Sequence, residues 1–160
     1  MKSVIVIIGK ARAGKTTFAK YLADLYGTKS AGTSDIVYKA MAIARNCKEE
    51  ELRQIPKEEL RPVLIDFANY LCSVVPDFLS SAIIQEGFDV IDGIRRRSEL
   101  EALAAKHNIA VYFVDRTEGV VEDNFELDKD DADFIVDNNG KLGDFKITEN
   151  PRYRIFTKND

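Results

Sequence analysis

Gly9-Lys10-Ala11-Arg12-Ala13-Gly14-Lys15-Thr16 sets two glycines, a lysine and a hydroxyl at the spacing G-x-x-x-x-G-K-[ST], and the chemistry open to that set is the holding of a polyphosphate. Glycine lets the chain curl so that successive backbone N–H groups point at one anion. A helix opening at Thr16 adds unsatisfied N–H groups and a favourable dipole. In such a cradle the phosphates are surrounded by Gly9, Ala11, Arg12, Ala13, Gly14, Lys15, Thr16 and Thr17. The Lys15 ammonium reaches the β- and γ-phosphates, and the Thr16 hydroxyl holds Mg²⁺. A glycine turn that binds nothing is the competing reading, and the apolar strand directly before the motif weighs against it.

A second set follows Phe88-Asp89-Val90-Ile91-Asp92, a strand that ends in an acid before Gly93. At the carboxyl end of a strand the Asp92 carboxylate can reach the Mg²⁺ shell beside Thr16; the alternative is a turn aspartate. Arg95, Arg96 and Arg97 come next, at the start of a helix whose dipole they oppose, so at least one answers to an anionic ligand or to carboxylates nearby. Cys47, Cys72 and the single His107 lack metal-ligand spacing, which excludes a zinc site. His107 instead suits a helix C-terminus.

These groups must be positioned by regular elements. Val4 to Ile8 is a continuous β-branched run, as a strand covered on both faces requires, and Thr16 to Tyr26 reads as a helix ended by Gly27. Thr28 to Thr33 predicts a short strand, after which Ser34 or Asp35 caps a helix running to about Arg45. Lys48-Glu49-Glu50-Glu51 reads as a solvated surface. Leu60, Val63, Leu64, Phe67, Leu71 and Val74 recur at helical spacing as one apolar face, with Pro62 near the start of that helix. Asp77 to Gln85 and Ser98 to Lys106 predict further helices, Ile109 to Val114 and Phe134 to Val136 further strands, and Arg152 to Lys158 a last edge strand. Alternation of this kind predicts a three-layer α/β/α sandwich on a mostly parallel five-stranded sheet, with ligands at the carboxyl ends of the strands.

At 160 residues the chain is expected to be a single domain, 1–160. With 45% apolar and 31% charged residues, no long apolar stretch and no signal-peptide pattern at the start, a cytoplasmic location without membrane association is expected. A net charge of -4 argues against a general nucleic-acid binder, so phosphate must be held by local cations. Oligomeric state is not legible.

Ile91-Asp92-Gly93-Ile94-Arg95-Arg96 resembles the adenylate kinase motif Asp-Gly-Phe-Pro-Arg, whose arginine grips the acceptor phosphate. The match implies Arg96, with Arg95 as its neighbour, for that role. Asp92 to Leu103, Asp123-Asn124-Phe125-Glu126 and Ala132 to Gly140 are similar to bacteriophage-type deoxynucleoside monophosphate kinases and their dephospho-CoA kinase relatives. That resemblance implies the P-loop NTPase fold, places Asn138 near the nucleotide base, and points to Arg61 and Asp77 in an acceptor pocket. Glu126 matches an acidic position of the same families. Thr33-Ser34-Asp35-Ile36-Val37-Tyr38-Lys39 resembles the adenylate kinase segment Thr-Gly-Asp-x-x-Arg, with Tyr38 at the arginine position. Asp35 is read either as part of the acceptor site or as a plain helix cap.

Adenylate kinases carry several arginines in a lid, whereas Asp115 to Ala132 is short and offers only Arg116, so the lid is reduced. Arg12 resembles the phosphate-loop arginine of those thymidylate kinases that lack one in the lid, and the resemblance implies that it contacts the γ-phosphoryl group or the acceptor phosphate. The expectation is therefore ATP- and Mg²⁺-dependent phosphoryl transfer to a nucleoside or deoxynucleoside monophosphate, with Lys15, Arg12, Asp92 and Arg96 as catalytic residues and Thr16 and Asp92 at the metal. Two alternatives stand beside it. One is a dephospho-CoA kinase or other small-metabolite kinase in which Asp35 deprotonates a hydroxyl acceptor. The other is a nucleotide-binding regulatory protein without efficient transfer.

Overall fold

Every residue from Val4 to Ile8 is β-branched, and in the computed structural model, which describes residues 2–121 and 125–150, that run lies at the heart of the sheet as β1 (Ser3–Ile8). The chain continues through α1 (Lys15–Tyr26), β2 (Ser30–Gly32), α2 (Thr33–Ala44), α3 (Glu49–Arg53), α4 (Lys57–Val74) and α5 (Phe78–Gln85). It then forms β3 (Val90–Asp92), α6 (Arg97–Ala104), β4 (Asn108–Asp115), a 3₁₀ turn (Lys129–Asp131), β5 (Phe134–Asp137) and β6 (Lys146–Glu149). The sheet order is β2-β3-β1-β4-β5-β6, with the first five strands mutually parallel and β6 antiparallel to β5.

Alternation along the strands divides the core between two faces. Ile7, Tyr112, Val114 and Val136 meet Phe18, Ala19 and Leu22 of α1 on one side, while Val4, Val6, Ile8, Ile91 and Val111 meet Leu79, Ile83, Leu100 and Leu103 of α5 and α6 on the other. The chain leaves β1 toward β2 across the α1 face, and it returns through β3 to β4 across the opposite face. The order therefore reverses beside β1, which opens a crevice at its carboxyl end.

Three expectations need correction. The sheet has six strands rather than five, because the turn after Asp137 sends the chain straight back, and an antiparallel partner needs only such a short return. Asn150 closes it, its amide donating to the carbonyls of Lys129 and Ala132. The edge strand expected at Arg152 to Lys158 lies outside the described residues. Helix α4 begins at Lys57 after Pro56, so Pro62 stands inside it, and Val63 and Val74 turn outward at 50% and 66% exposure while Leu60, Leu64, Phe67 and Leu71 face the core. Within the solvated stretch, Glu49–Arg53 forms a short helix anchored by buried Leu52. Among the described residues no single helix is long and apolar enough to cross a membrane.

Candidate functional site

The glycine loop grows out of the buried end of β1, and its shape is dictated by close packing. A Cβ at Gly9 would lie 2.7 Å from the Val114 carbonyl oxygen, so β4 admits only glycine there. Gly9, Arg12 and Gly14 all take positive φ, at 146°, 64° and 96°. The Lys10 carbonyl accepts from Ala13 N–H at 3.2 Å and from Lys15 Nζ at 2.7 Å, which folds the loop on itself with the ammonium across it. Arg12 is exposed at the crest, and Ala11 beside it accepts from Val121 N–H at 3.0 Å, so the segment that follows β4 touches the loop directly.

Asn138 does something its position in the sequence does not announce. Its buried amide donates to the Ala13 carbonyl at 2.8 Å, across 125 residues, and it fills the space a Cβ on Gly14 would need. The resemblance sets it near a nucleotide base; the structure sets it against the loop itself. Asn139 next to it accepts from the N–H and hydroxyl of Thr117, binding the segment after β4 to the end of β5.

Strand register delivers Asp92 to the same place. Asp92 pairs with Ile7 of β1 on one side and Gly32 of β2 on the other, which brings its carboxyl beneath the start of α1. Burial pushes that carboxyl above the usual range; Lys15 and a hydrogen bond from Thr16 oppose the rise, and Asp35 adds to it. Lys15, Thr16 and Asp92 thus converge as the motif spacing anticipates. Thr17 is exposed on the first turn of α1.

The remaining candidates divide. Helix α2 starts earlier than expected, with Gly32 rather than Ser34 or Asp35 as its cap. Asp35 in the first turn accepts from Gly32 N–H at 3.1 Å with one oxygen and from Arg53 at 3.2 Å with the other, so it supports the start of α2 and carries an ion pair at once. Arg53 also binds Glu49 and lies 4.3 Å from the ring centroid of Tyr38, the residue that stands where the related segment has arginine. Arg96 donates to Asn69 Oδ1 and approaches Cys72 Sγ and Glu99. Arg97 pairs with Asp131, and its N–H is accepted by Glu126, so Glu126 serves the amino end of α6. The Arg95 carbonyl accepts from Glu126 N–H. Arg61 stands on α4 beside Leu60, which packs with Tyr38, Met41 and Leu52 among α2, α3 and α4. Asp77 is buried and engaged by Lys106 and Ser81. Burial pushes its carboxyl up, but Lys106 at 2.7 Å and Ser81 at 2.6 Å outweigh that and leave it below the ordinary value. Asp123 and Asn124 lie outside the described residues.

Sequence reasoning passed over Arg53, Asn69 and Glu99. Only Glu99 carried a signal, as an acid one turn from Leu103 on the apolar side of α6. Beside the loop, a cavity of about 480 Å³ runs along the end of β4 between Lys10, Phe113, Arg116, Phe125 and Lys129. The donor set can hold a hard cation through the Asp92 carboxylate and Thr16 hydroxyl, and the loop can hold an anion against Lys15. The chain matches no protein-family model, and no curated protein matches it.

Proposed function

We propose that this chain is a nucleoside monophosphate kinase of the P-loop NTPase fold, transferring the γ-phosphoryl group of ATP to a nucleoside or deoxynucleoside monophosphate. The observation that carries the reading is the hydrogen bond from Thr16 to buried Asp92 beside Lys15, at the end of a glycine loop whose backbone only glycine tolerates at Gly9. A carboxylate that burial makes costly is supported there by a lysine and a hydroxyl, and a divalent cation would complete its compensation. Thr16 and Asp92 would hold Mg²⁺, which when bound neutralises charge building on the β- and γ-phosphates.

The protein's own residues supply the rest. Lys15 turns from the Lys10 carbonyl to the phosphates, and Arg12 at the crest of the loop provides the cation that a full lid would otherwise carry. Arg96 receives the acceptor phosphate from the α6 side, with Arg95 next to it. An acceptor phosphate is already an anionic nucleophile, so no general base is required. Both Asp35 oxygens are engaged, by Gly32 N–H and by Arg53, which favours this acceptor over a hydroxyl that Asp35 would have to deprotonate.

The test is a screen of nucleoside and deoxynucleoside monophosphates, dephospho-CoA and small alcohols against ATP and Mg²⁺, following ADP. Accumulation of ADP with one monophosphate is expected. A response to dephospho-CoA or an alcohol alone moves the acceptor class. Stabilisation by ATP with no acceptor raising ADP supports the regulatory reading, and no binding of any purine triphosphate removes the proposal.

A further inference from the structure

Glu99 is fully buried on α6, and neither of its oxygens accepts a hydrogen bond of full geometry, although the N–H and hydroxyl of Ser80 lie close enough to lend it partial support. A carboxylate in that position cannot keep its charge on solvation, so it depends on the charges around it. The groups facing it are few. Arg96 approaches to 3.8 Å from one helical turn earlier, Ser80 faces it from α5 and Asp77 from the residue just before that helix, and Cys72 stands on α4. Asp77 is a like charge already committed to Lys106, and Cys72 is a thiol that burial and Glu99 together push up to about 11. Arg96 is thus the cation that makes an ionised Glu99 tolerable.

The reverse dependence holds as well. Arg96 is held from α4 by Asn69 Oδ1, which takes both Nε and Nη2, while Nη1 lies against Cys72 Sγ at 3.6 Å on the Glu99 side. A guanidinium has five N–H donors in a fixed fork, so donors remain for an anion after these contacts. The side chain keeps 18% exposure, three residues beyond Gly93 and at the amino end of α6, on the carboxyl side of β3. One side of Arg96 meets the buried acid, and the rest of the guanidinium keeps part of its surface in solvent.

We propose that Glu99 is a positioning residue for Arg96 and that anion binding at Arg96 is coupled to proton uptake by Glu99. An anion arriving on that solvent-facing part takes a share of the guanidinium charge, the buried carboxylate loses that share, and it recovers by binding a proton from solvent. When the anion leaves, the proton leaves, and Arg96 is returned to the Asn69–Glu99 clamp. Burial has already pushed the Glu99 carboxyl up to about 7, which puts the exchange within the neutral range. The proposal rests on Arg96 facing an anion, as in the kinase reading, and the coupling itself requires no phosphoryl transfer.

Carbon-detected NMR titration of the Glu99 carboxyl in the full chain tests it, with inorganic sulfate as probe because sulfate keeps its charge through the neutral range. Sulfate is expected to raise the Glu99 midpoint in the parent. Arg96→Gln is expected to raise it without sulfate, by about 1 pH unit or more, a tenfold change in proton affinity, and to abolish the sulfate response. Arg96→Lys, which keeps a charge but not the fork, should fall between them and serves if Arg96→Gln folds poorly. A midpoint that moves with neither sulfate nor substitution at Arg96 overturns the proposal, even for an active kinase. Conversely, failure of every acceptor in the kinase screen leaves the coupling intact if the midpoint moves as stated.

Discussion

Replacing Gly14 with alanine puts two independent loads on the loop, and both can be worked from its geometry. Gly14 has φ 96°, a conformation that costs an L-residue about 1–2 kcal/mol. The new Cβ would also lie 2.5 Å from Asn138 Nδ2. Moving Asn138 breaks its 2.8 Å donation to the Ala13 carbonyl, and a buried group left without its partner costs about 1–3 kcal/mol. Alanine returns roughly 0.4–1 kcal/mol by restricting the unfolded chain. The net expectation is a loss of about 2–4 kcal/mol, measured by urea unfolding with an unchanged m-value. In an Asn138→Ala background the second load is absent, so Gly14→Ala should cost only what the backbone demands. The double-mutant cycle then reads a coupling of roughly 1–3 kcal/mol. A Gly14→Ala loss below about 0.5 kcal/mol, or the same loss in both backgrounds, would refute the packing of Asn138 on the loop.

Other perturbations separate stability from chemistry. Arg12 holds φ 64°, where glycine avoids about 1–2 kcal/mol of strain but gives back roughly 0.4–1 in the unfolded chain; Arg12→Gly should therefore stabilise by about 0.5–1 kcal/mol while slowing transfer by about tenfold or more, checked by unfolding and by ADP release. Asp92→Asn should lower Mg²⁺-dependent turnover by about 100-fold, yet thermal melting should show no loss of stability, because a costly buried charge is removed while Thr16 keeps an oxygen acceptor. The folded-state value of Glu99, about 7, lies above its ordinary 4.5. The native state thus holds a proton that the unfolded chain has lost, so this contribution is complete below the ordinary value and disappears as pH rises through the folded one. A shift of this size corresponds to about 3 kcal/mol, and Glu99→Gln should flatten the fall in unfolding free energy over that window. An unchanged pH slope in the variant would contradict the burial of an ionisable group there.

Local signals were legible where one segment carried the whole message. The strand, glycine loop and helix from Ser3 to Tyr26 are contiguous, and their glycines, lysine and β-branched run announce each other. The start of α4 was not legible, since Pro56 and Pro62 both suit a helix near its beginning and only packing of Leu60 against Tyr38 and Leu52 extends the helix back to Lys57. β6 carried no apolar alternation at all. Its four residues are exposed and it exists as a strand because the return from Asp137 lays it beside β5.

By itself the sequence determined which chemical groups are present and how each local element forms: the cradle of glycines, a lysine and a threonine at the head of α1, an acid ending β3, arginines opening α6. Only the tertiary structure decided which of them meet. Asp92 reaches Thr16 through the pairing of β3 with β1, Asn138 reaches Ala13 across 125 residues, and Arg96 finds Asn69 and Glu99 between α4 and α6. Backbone preferences act over a few residues, whereas these contacts are set by strand register and by the packing of helices against one another, which no single segment encodes.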